Sequence, residues 1–225
     1  FLHKKSLLAG GSSNLKISSR LSMIMKILQT AAPLFAGIYT VSFKGANLTN
    51  VILSNADLTS VDLEKAILNH TDLYKTTLNR TILNYIKGRK INLKEAIMQG
   101  ALLEKADLSY GYLSSGDLAF AILIDANLKG ANLEGANLES ANLKGANLES
   151  ANLKGANLKG ANLQGAKLFH VNVQGIDLTG HALQGADLRG AKGLNCDTLK
   201  RAKGWEFSFR DKRLKCSERM MVKGM

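Results

Sequence analysis

The sequence predicts an all-β solenoid, a rod of stacked coils, for three reasons. Positions spaced five residues apart from Leu48 to Leu188 number 29, and Leu occupies all of them except Gly88, Met98 and Val173. The residue two before each of these positions is usually Ala, with Asn or Asp between the two. A period of five fits neither the 3.6-residue helix nor the two-residue strand, so each five-residue unit is one side of a coil.

The most regular repeats run from Ala126 to Gly165 and read ANLKG ANLEG ANLES ANLKG ANLES ANLKG ANLKG ANLQG. Such a unit cannot bury its own apolar side chains, so it has to stack on its neighbours. The pattern resembles the pentapeptide-repeat family, whose motif is A-[DN]-L-x-x, over residues 41–193. The resemblance implies a right-handed quadrilateral parallel β-helix with four repeats per coil, Ala and Leu facing inward, and about seven coils. At roughly 4.8 Å per coil the rod would be roughly 34 Å long.

The N-terminal segment, residues 1–40, lacks the repeat and carries only basic charges. Ser18 and Ser19 predict the start of a helix that ends at about Ala32, before Pro33. A helix that caps the first coil is the favoured interpretation. A targeting segment, for example to a plastid, is the alternative, and the compartment stays open between an organelle and a bacterial cytoplasm. A membrane span is disfavoured because polar residues and Pro33 interrupt the apolar run.

The C-terminal segment, residues 194–225, predicts a helical cap and a basic tail. Its beginning, ADLRGAKGL followed by an aromatic stretch around a Trp, resembles the ending of cyanobacterial-type pentapeptide proteins. Asn195 or Asp197 is predicted to cap a helix from Thr198 to Ala202. Four apolar residues are predicted to cover the open end of the last coil: Leu199, Trp205, Phe207 and Phe209. Two cysteines do not make a disulfide framework, so free thiols are favoured at Cys196 and Cys216.

The net charge of +12 is concentrated at the ends of the chain. Residues 1–40 hold five Lys or Arg and no acid, and residues 194–225 hold nine bases and four acids. Residues 41–193 hold sixteen bases and fourteen acids, so the rod itself is nearly neutral. The basic tails are therefore predicted to bind acidic proteins or an anionic membrane surface.

The sequence carries no motif for a nucleotide-binding loop, a zincin helix or a paired C-x-x-C, and we predict no enzyme activity, cofactor, metal or small-molecule substrate. His70 and His170 share a repeat position but are five coils apart, roughly 24 Å, too far for one metal ion. His181 replaces an inward Ala and is predicted to be a satisfied or corner-displaced histidine. The Asp residues at middle positions are predicted to be polar groups at strand edges, interchangeable with Asn.

Gly88 interrupts the Leu column, and an unfilled Leu-sized gap costs about 2–5 kcal/mol. We expect Ile86 or Tyr85 to fill it. Three basic residues surround this point and form a candidate docking site: Lys87, Arg89 and Lys90. The alternative without a binding role, a bulge in the strand whose charges are simply solvated, is favoured.

Sorting the middle positions by a period of twenty predicts a candidate interface. Ile82, Leu102 and Ile122 occupy three consecutive coils on one face where the motif has Asn or Asp, with Tyr85 and Ile124 at corners of the same side. A contiguous apolar patch on a soluble rod usually binds a partner. Two alternatives stay open: degenerate repeats that simply favour strand-forming residues, or coverage by the N-terminal segment.

These features predict a rigid, non-enzymatic scaffold or protein-binding rod, a subunit or assembly factor of a larger membrane-associated, photosynthetic or organellar complex. Its partners are predicted to be proteins, and whether it forms a homodimer is left open.

The alternative is a protein that interacts with nucleic acid or a topoisomerase. The resemblance implies that gyrase-protecting members mimic DNA, which requires a strongly negative rod. The near-neutral rod disfavours that mechanism, and direct nucleic-acid binding lacks a basic stripe with stacking aromatics.

Overall fold

The computed structural model describes residues 41–210, which form a quadrilateral parallel β-helix. Parallel bridges join residues twenty apart, from Ser42 with Asp62 to Asn172 with Lys192. The rod has seven complete coils of twenty residues, of which the first is 41–60 and the seventh is 161–180. Residues 181–193 make a partial eighth coil. The predicted period, register and number of coils are confirmed.

Each repeat has five positions with constant roles. Positions 1 and 3 are buried, position 2 faces outward and carries the bridge, and positions 4 and 5 turn the corner. Three hydrogen bonds join neighbouring coils on each side. In the fifth coil, for example, they run from Leu128 N–H to Asn147 O at 2.7 Å, from Asn147 N–H to Ala126 O at 2.9 Å, and from Gly130 N–H to Glu149 O at 2.8 Å. Every strand segment is therefore a single bridge residue with its two flanking neighbours.

The corners are tight turns with a left-handed residue at position 5. The N–H of the next position 1 donates to the carbonyl of position 3, as from Ala131 to Leu128 at 3.0 Å. Position 5 has a φ near +60° even where it is not glycine, as at His70 and Phe120. The turn imposes this conformation because the chain must change direction by about a right angle within two residues.

Four faces follow from this geometry, and we number them by their position-2 residues. Face 1 contains residues 42, 62, 82 and every twentieth residue after them, face 2 those from 47, face 3 those from 52, and face 4 those from 57. Faces 1 and 3 are opposite each other, as are faces 2 and 4.

The gap at Gly88 is filled by large residues at position 1. A side-chain carbon at Gly88 would lie 3.4 Å from Ile91 Cδ1 and 3.4 Å from Leu108 Cδ2, and Ile86 is also buried. This repeat thus exchanges the usual small and large positions. The prediction that Tyr85 fills the gap is wrong, because Tyr85 is at a corner and 43% exposed.

The end of the rod is closed by a short cap. The helix α1 spans Cys196–Leu199, and Asn195 caps it by accepting the Thr198 N–H at 2.8 Å. The sequence predicts a helix from Thr198 to Ala202, so the observed helix begins and ends earlier than predicted. It begins earlier because Asn195 rather than Asp197 provides the cap. Cys196 is disulfide-bonded, so the prediction of a free thiol is wrong at this position.

The cap covers the core with two of the four predicted residues. Leu199 and Trp205 are buried, whereas Phe207 and Phe209 are exposed, so the prediction is wrong for both phenylalanines. A 3-10 helix spans Trp205–Phe207, after which Phe209 forms a bridge with Asp187 on face 2. A bridge residue of this rod points outward, which is why Phe209 cannot cover the end.

The N-terminal segment 1–40 and residues 211–225 are outside the described residues, and with them the predicted capping helix, targeting segment and Cys216. Between residues 41 and 210, none of the helices has the length and apolar character that crossing a membrane requires.

Candidate functional site: an apolar stripe beside a basic cluster

The structure stacks the three predicted apolar residues of face 1 in consecutive coils. Bridges join Ile82 to Leu102 and Leu102 to Ile122, with Asp62 below and Asn142 above. Leu102 is exposed, and Ile82 and Ile122 are half-buried. We call Ile82, Leu102 and Ile122 the apolar stripe. Neighbouring strands are about 4.8 Å apart, so the three side chains form one continuous ridge.

Two further predicted residues lie at the corner that follows face 1. Tyr85 is exposed, and the ammonium groups of Lys65 and Lys105 lie 5.9 Å and 5.8 Å from its ring centre. Ile124 is half-buried. The structure therefore brings all five candidate interface residues to one side of coils three to five.

Sequence reasoning missed Phe120 as a member of this surface. Phe120 is at the corner that leads into face 1, two residues before Ile122, and is 62% exposed. The signal was available, because an aromatic residue occupies a left-handed position 5 at which the most regular repeats have Gly or Ser. Phe120 extends the apolar surface on the side opposite Tyr85.

The basic cluster consists of Lys87 on face 2 and Arg89 and Lys90 at the following corner, and all three are exposed. Among the described residues none of them forms an ion pair with an acid. The Arg89 guanidinium lies 5.3 Å from the centre of the Tyr110 ring, a cation–π distance. Within residues 41–210 the cluster therefore presents cationic groups outside any ion pair, with Asp107 as the bridge partner of Lys87 in the next coil.

The predicted bulge at this point is wrong. Lys87 N–H donates to Ala66 O at 3.0 Å and Gly88 N–H to Asp107 O at 2.7 Å, so the ladder continues through the irregular repeat. The small Gly88 is compensated inside the core rather than by a change of the backbone. The basic residues are consequently held on a regular, rigid strand and corner.

Elsewhere on the rod, charged side chains pair from coil to coil. Lys129 and Glu149 are 3.0 Å apart and Lys154 and Glu134 are 3.4 Å apart, each pair bridging successive coils. The Lys44 side chain, hydrogen-bonded to Glu64, lowers the pKa of that carboxyl. These pairs are exposed and contribute little stability, but they leave the rod surface close to neutral.

Asp and Asn side chains form short amide ladders on faces 2, 3 and 4. Asn137 donates to Asp117 at 2.9 Å, and Asn157 donates to Asn137 at 3.0 Å. Asp72, Asp107 and Asp117 accept at the start of a ladder, because a carboxylate cannot donate as an Asn amide does. Within residues 41–210, no three His, Cys, Asp or Glu side chains come together as a metal site.

This arrangement of Leu-filled square coils with an outward polar position and tight corners defines a solenoid with a filled core. Eight copies of the pattern described as Pentapeptide repeats match residues 42–80, 112–149, 121–160, 146–180 and 161–192. The chain belongs to the pentapeptide repeat family, and its β-helix is of the right-handed quadrilateral type.

Solved structures of the family are similar to this chain. HetL, a pentapeptide repeat protein involved in heterocyst differentiation regulation from the cyanobacterium Nostoc, is 36% identical, with 69% of this chain and 76% of that chain covered and a TM-score of 0.37. QnrB1, a plasmid-mediated fluoroquinolone resistance protein, is 17% identical over 77% of this chain and 91% of its own, with a TM-score of 0.63. A pentapeptide repeat protein from the Arabidopsis thaliana thylakoid lumen is 34% identical over 42% of this chain and 68% of its own, with a TM-score of 0.39. No curated protein matches the sequence.

Proposed function

We propose that this protein is a rigid, non-enzymatic scaffold that binds a partner protein through the apolar stripe and the basic cluster. One observation carries the proposal. The apolar stripe and the basic cluster follow each other along the third coil, from Ile82 on face 1 through Tyr85 at the corner to Lys87 on face 2. Apolar contact area and unpaired cations are thus adjacent on one stiff surface.

The energetics of this surface favour a protein partner. An exposed apolar ridge gains from removal from water, roughly 25 cal/mol per Å² of buried apolar area. Three cations at its border favour a partner with carboxylates beside its own apolar residues, and charge complementarity of this kind gives specificity and fast association. The rod needs no rearrangement before it binds, so little conformational entropy is lost.

The charge of the described rod argues against DNA mimicry. Residues 41–210 hold 20 Lys or Arg and 16 Asp or Glu, a small positive excess. A DNA mimic presents negative charge at the spacing of phosphates. A role as a subunit or assembly factor of a larger organellar or membrane-associated complex agrees better with a near-neutral rod between two basic tails.

The test compares two double variants in affinity capture from native extract, followed by quantitative mass spectrometry. Leu102→Lys with Ile122→Lys places two charges on the apolar stripe. Ile52→Lys with Tyr112→Lys is the control, because these apolar position-2 residues are more exposed than Leu102 and Ile122 and are on the opposite face 3. We expect the stripe variant to lose the captured partner and the control to retain it, with both variants folded.

Self-association is tested on the same variants by light scattering after size-exclusion chromatography. If the interface is between two copies of this chain, the stripe variant is a monomer and the control is not. Identical assemblies and identical captured proteins for both variants would refute the stripe as the interface. Recovery of a topoisomerase or nucleic acid by the wild type would favour the alternative function.

The basic tails provide a second contact in this proposal. Removing residues 1–40 and 211–225 takes away most of the positive excess, and we expect salt-sensitive binding to anionic vesicles to disappear. Equal vesicle binding by the rod without its tails would contradict this part.

A further inference from the structure

Within residues 41–192, one bridge between residues twenty apart is missing, on face 4 between the sixth and seventh coils. Residues 157 and 177 form no bridge, although bridges continue on the other three faces at this level. In the coil before, Leu138 N–H donates to Asn157 O at 2.7 Å and Ser140 N–H donates to Lys159 O at 2.8 Å. Three equivalent bonds are absent: Leu158 N–H to Asp177 O, Gly160 N–H to Thr179 O, and Asp177 N–H to Ala156 O.

A buried histidine borders this opening. His181 has no exposed surface, and its Nδ1 lies 3.1 Å from the carbonyl oxygen of Thr179. A carbonyl only accepts, so Nδ1 carries the proton and donates. The other ring nitrogen, Nε2, is buried and has no hydrogen-bond partner. The prediction of a satisfied or corner-displaced histidine is therefore wrong, since His181 remains in the core with one nitrogen unsatisfied.

The opening is a half-open cleft with a volume of about 350 Å³. One wall is the sixth coil from Ala156 to Lys159, and the other contains Gly175, Asp177 and Thr179, with His181 at the inner end. Among the described residues, the walls present backbone groups that have no hydrogen-bond partner: the N–H groups of Leu158, Gly160 and Asp177 and the carbonyl oxygens of Ala156 and Asp177. This pattern matches the hydrogen-bonding edge of an extended polypeptide.

Two sequence features account for the opening. His181 places an imidazole at position 1, where the most regular repeats have Ala, and this larger side chain needs space between the coils. Asp177 then ends the amide ladder of face 4, because a carboxylate cannot donate to the Asn157 side-chain oxygen. Its carboxylate accepts instead from the Thr179 N–H at 3.0 Å and hydroxyl at 2.6 Å.

We propose that this cleft binds a short extended peptide, which adds as a strand between the sixth and seventh coils and donates a side-chain hydrogen bond to Nε2 of His181. Strand addition to unpaired backbone groups is a recurring mode of peptide recognition. Here both strands beside the inserted peptide belong to the rod, so its two backbone edges are satisfied at once.

The size of the cleft agrees with about two peptide residues. A three-residue strand is roughly 10 Å long, and with a ladder spacing of roughly 4.8 Å and a depth of roughly 10 Å it occupies roughly 480 Å³. The cleft is somewhat smaller and open on one side.

The core determines which side chain of the bound peptide can point inward. Inward threonines are already used in this rod, where the hydroxyl of Thr71 donates to buried Leu48 O at 2.8 Å and that of Thr81 to Leu58 O at 2.8 Å. A Ser or Thr on the peptide supplies the same donor to Nε2, whereas an apolar residue leaves this nitrogen unpaired at a free-energy cost.

The probe is a library of random heptapeptides displayed on phage and selected on the immobilised full chain. The best peptide is then synthesised with blocked ends, and its binding is measured by fluorescence anisotropy. We expect enriched peptides to share Ser or Thr at one position and to lack Pro beside it, because Pro has no N–H for the ladder.

The decisive variant is Asp177→Asn with His181→Ala, which restores the motif at both positions and closes the cleft. We expect peptide affinity to fall by at least about tenfold. The control is Asp187→Asn with His170→Ala, the same substitutions at a half-buried position of face 2 and at the exposed corner that follows face 2, and it retains the affinity.

Amide hydrogen exchange of the unmodified chain gives a second readout that needs no variant. In the free protein, the Leu158 and Gly160 amides should exchange at least about tenfold faster than those of Leu138 and Ser140, and saturating peptide should slow them. Failure to enrich any peptide, equal affinity for the closed variant, or unchanged exchange on peptide addition would each overturn the proposal. The apolar stripe lies in other coils, so none of these results depends on the partner-binding surface above.

Discussion

In the core of the rod, a small side chain at one position is compensated by larger side chains at the neighbouring positions. Gly88 replaces a core leucine, and Ile86 and Ile91 replace the small residues on either side of it. The core therefore keeps its volume while the usual order of small and large residues is reversed. A packed interior tolerates such exchanges when the total volume is conserved.

Restoring leucine at Gly88 alone is expected to destabilise the rod. The added side chain would meet Ile91 Cδ1 and Leu108 Cδ2, where a first carbon is already at 3.4 Å, and the backbone oxygen of Asp107, where it is at 3.2 Å. We expect Gly88→Leu to lower the free energy of unfolding by about 1–3 kcal/mol through overpacking.

Ile91→Ala alone leaves a cavity and should cost about 2–5 kcal/mol. The double variant fills that cavity with the new leucine, so its destabilisation should be smaller than the sum. A double-mutant cycle by urea unfolding measures this coupling. Additive effects would show that the two positions do not share the same space.

Two hydrogen bonds from Thr179 stabilise the charged form of the Asp177 carboxylate. The Thr179 hydroxyl, and next its N–H, hold the pKa of Asp177 below its ordinary value of 3.8. A lowered carboxyl pKa contributes stability that is fully present above the ordinary value and is lost as the pH falls through the folded-state pKa.

Thr179→Val removes the hydroxyl, so the pKa of Asp177, followed by NMR titration, should rise toward its ordinary value. Thr179→Ser keeps the hydroxyl and should leave the pKa low. The stability difference between the valine variant and the wild type should be larger at neutral pH than in strong acid. An unchanged pKa in the valine variant would assign the shift to the backbone N–H or to Arg201.

The corner is the element that the repeat has to build most often, and it requires a left-handed residue at position 5. Glycine adopts this conformation without strain, whereas another residue loses roughly 1–2 kcal/mol. Eighteen of these corners nevertheless carry a residue other than glycine. The hydrogen bonds of the ladder and the buried leucines hold the backbone there against its local preference.

Gly155 allows a clean measurement of this strain. Its φ is +66°, and a side-chain carbon there would meet nothing within 4 Å. We expect Gly155→Ala to lower the free energy of unfolding by about 1 kcal/mol, since reduced freedom of the unfolded chain offsets part of the strain. Gly155→Asn should cost less, because Asn tolerates left-handed φ better. Equal stability of wild type and alanine variant would contradict this account of the corners.

For the whole molecule, the coil of twenty residues is the unit that keeps every face in register. Each coil contacts only the coils above and below it, so stability is close to a sum over coils and their interfaces. Removing or adding a single five-residue repeat moves every later residue of the rod to a neighbouring face. The apolar stripe exists only because Ile82, Leu102 and Ile122 are separated by whole coils.

Deleting residues 131–150 joins Gly130 to Ala151 and removes one coil from the regular region. We expect a folded rod about 4.8 Å shorter, with the cap and the apolar stripe unchanged. Deleting 131–133 instead should be far worse, because it puts outward residues into the core. Thermal unfolding and small-angle scattering distinguish the two, and similar stability of both deletions would refute the coil as the unit.

The coil, its register and the placement of the apolar stripe follow from the sequence, because a five-residue period leaves one way to bury Ala and Leu together. Their positions in the sequence also put Tyr85 and the basic cluster beside the stripe, although the exposure of Phe120 was missed. The place where the ladder opens does not follow from the sequence and is seen in the three-dimensional contacts. Whether His181 moves outward or pushes two coils apart depends on the balance between ladder hydrogen bonds and core volume at that level of the rod.

The orientation of the aromatic residues in the cap also depends on tertiary contacts, because the bridge between Phe209 and Asp187 turns an apolar residue toward solvent. Neither outcome is contained in the repeat, since both arise where the repeat is broken and contacts between distant residues decide the geometry.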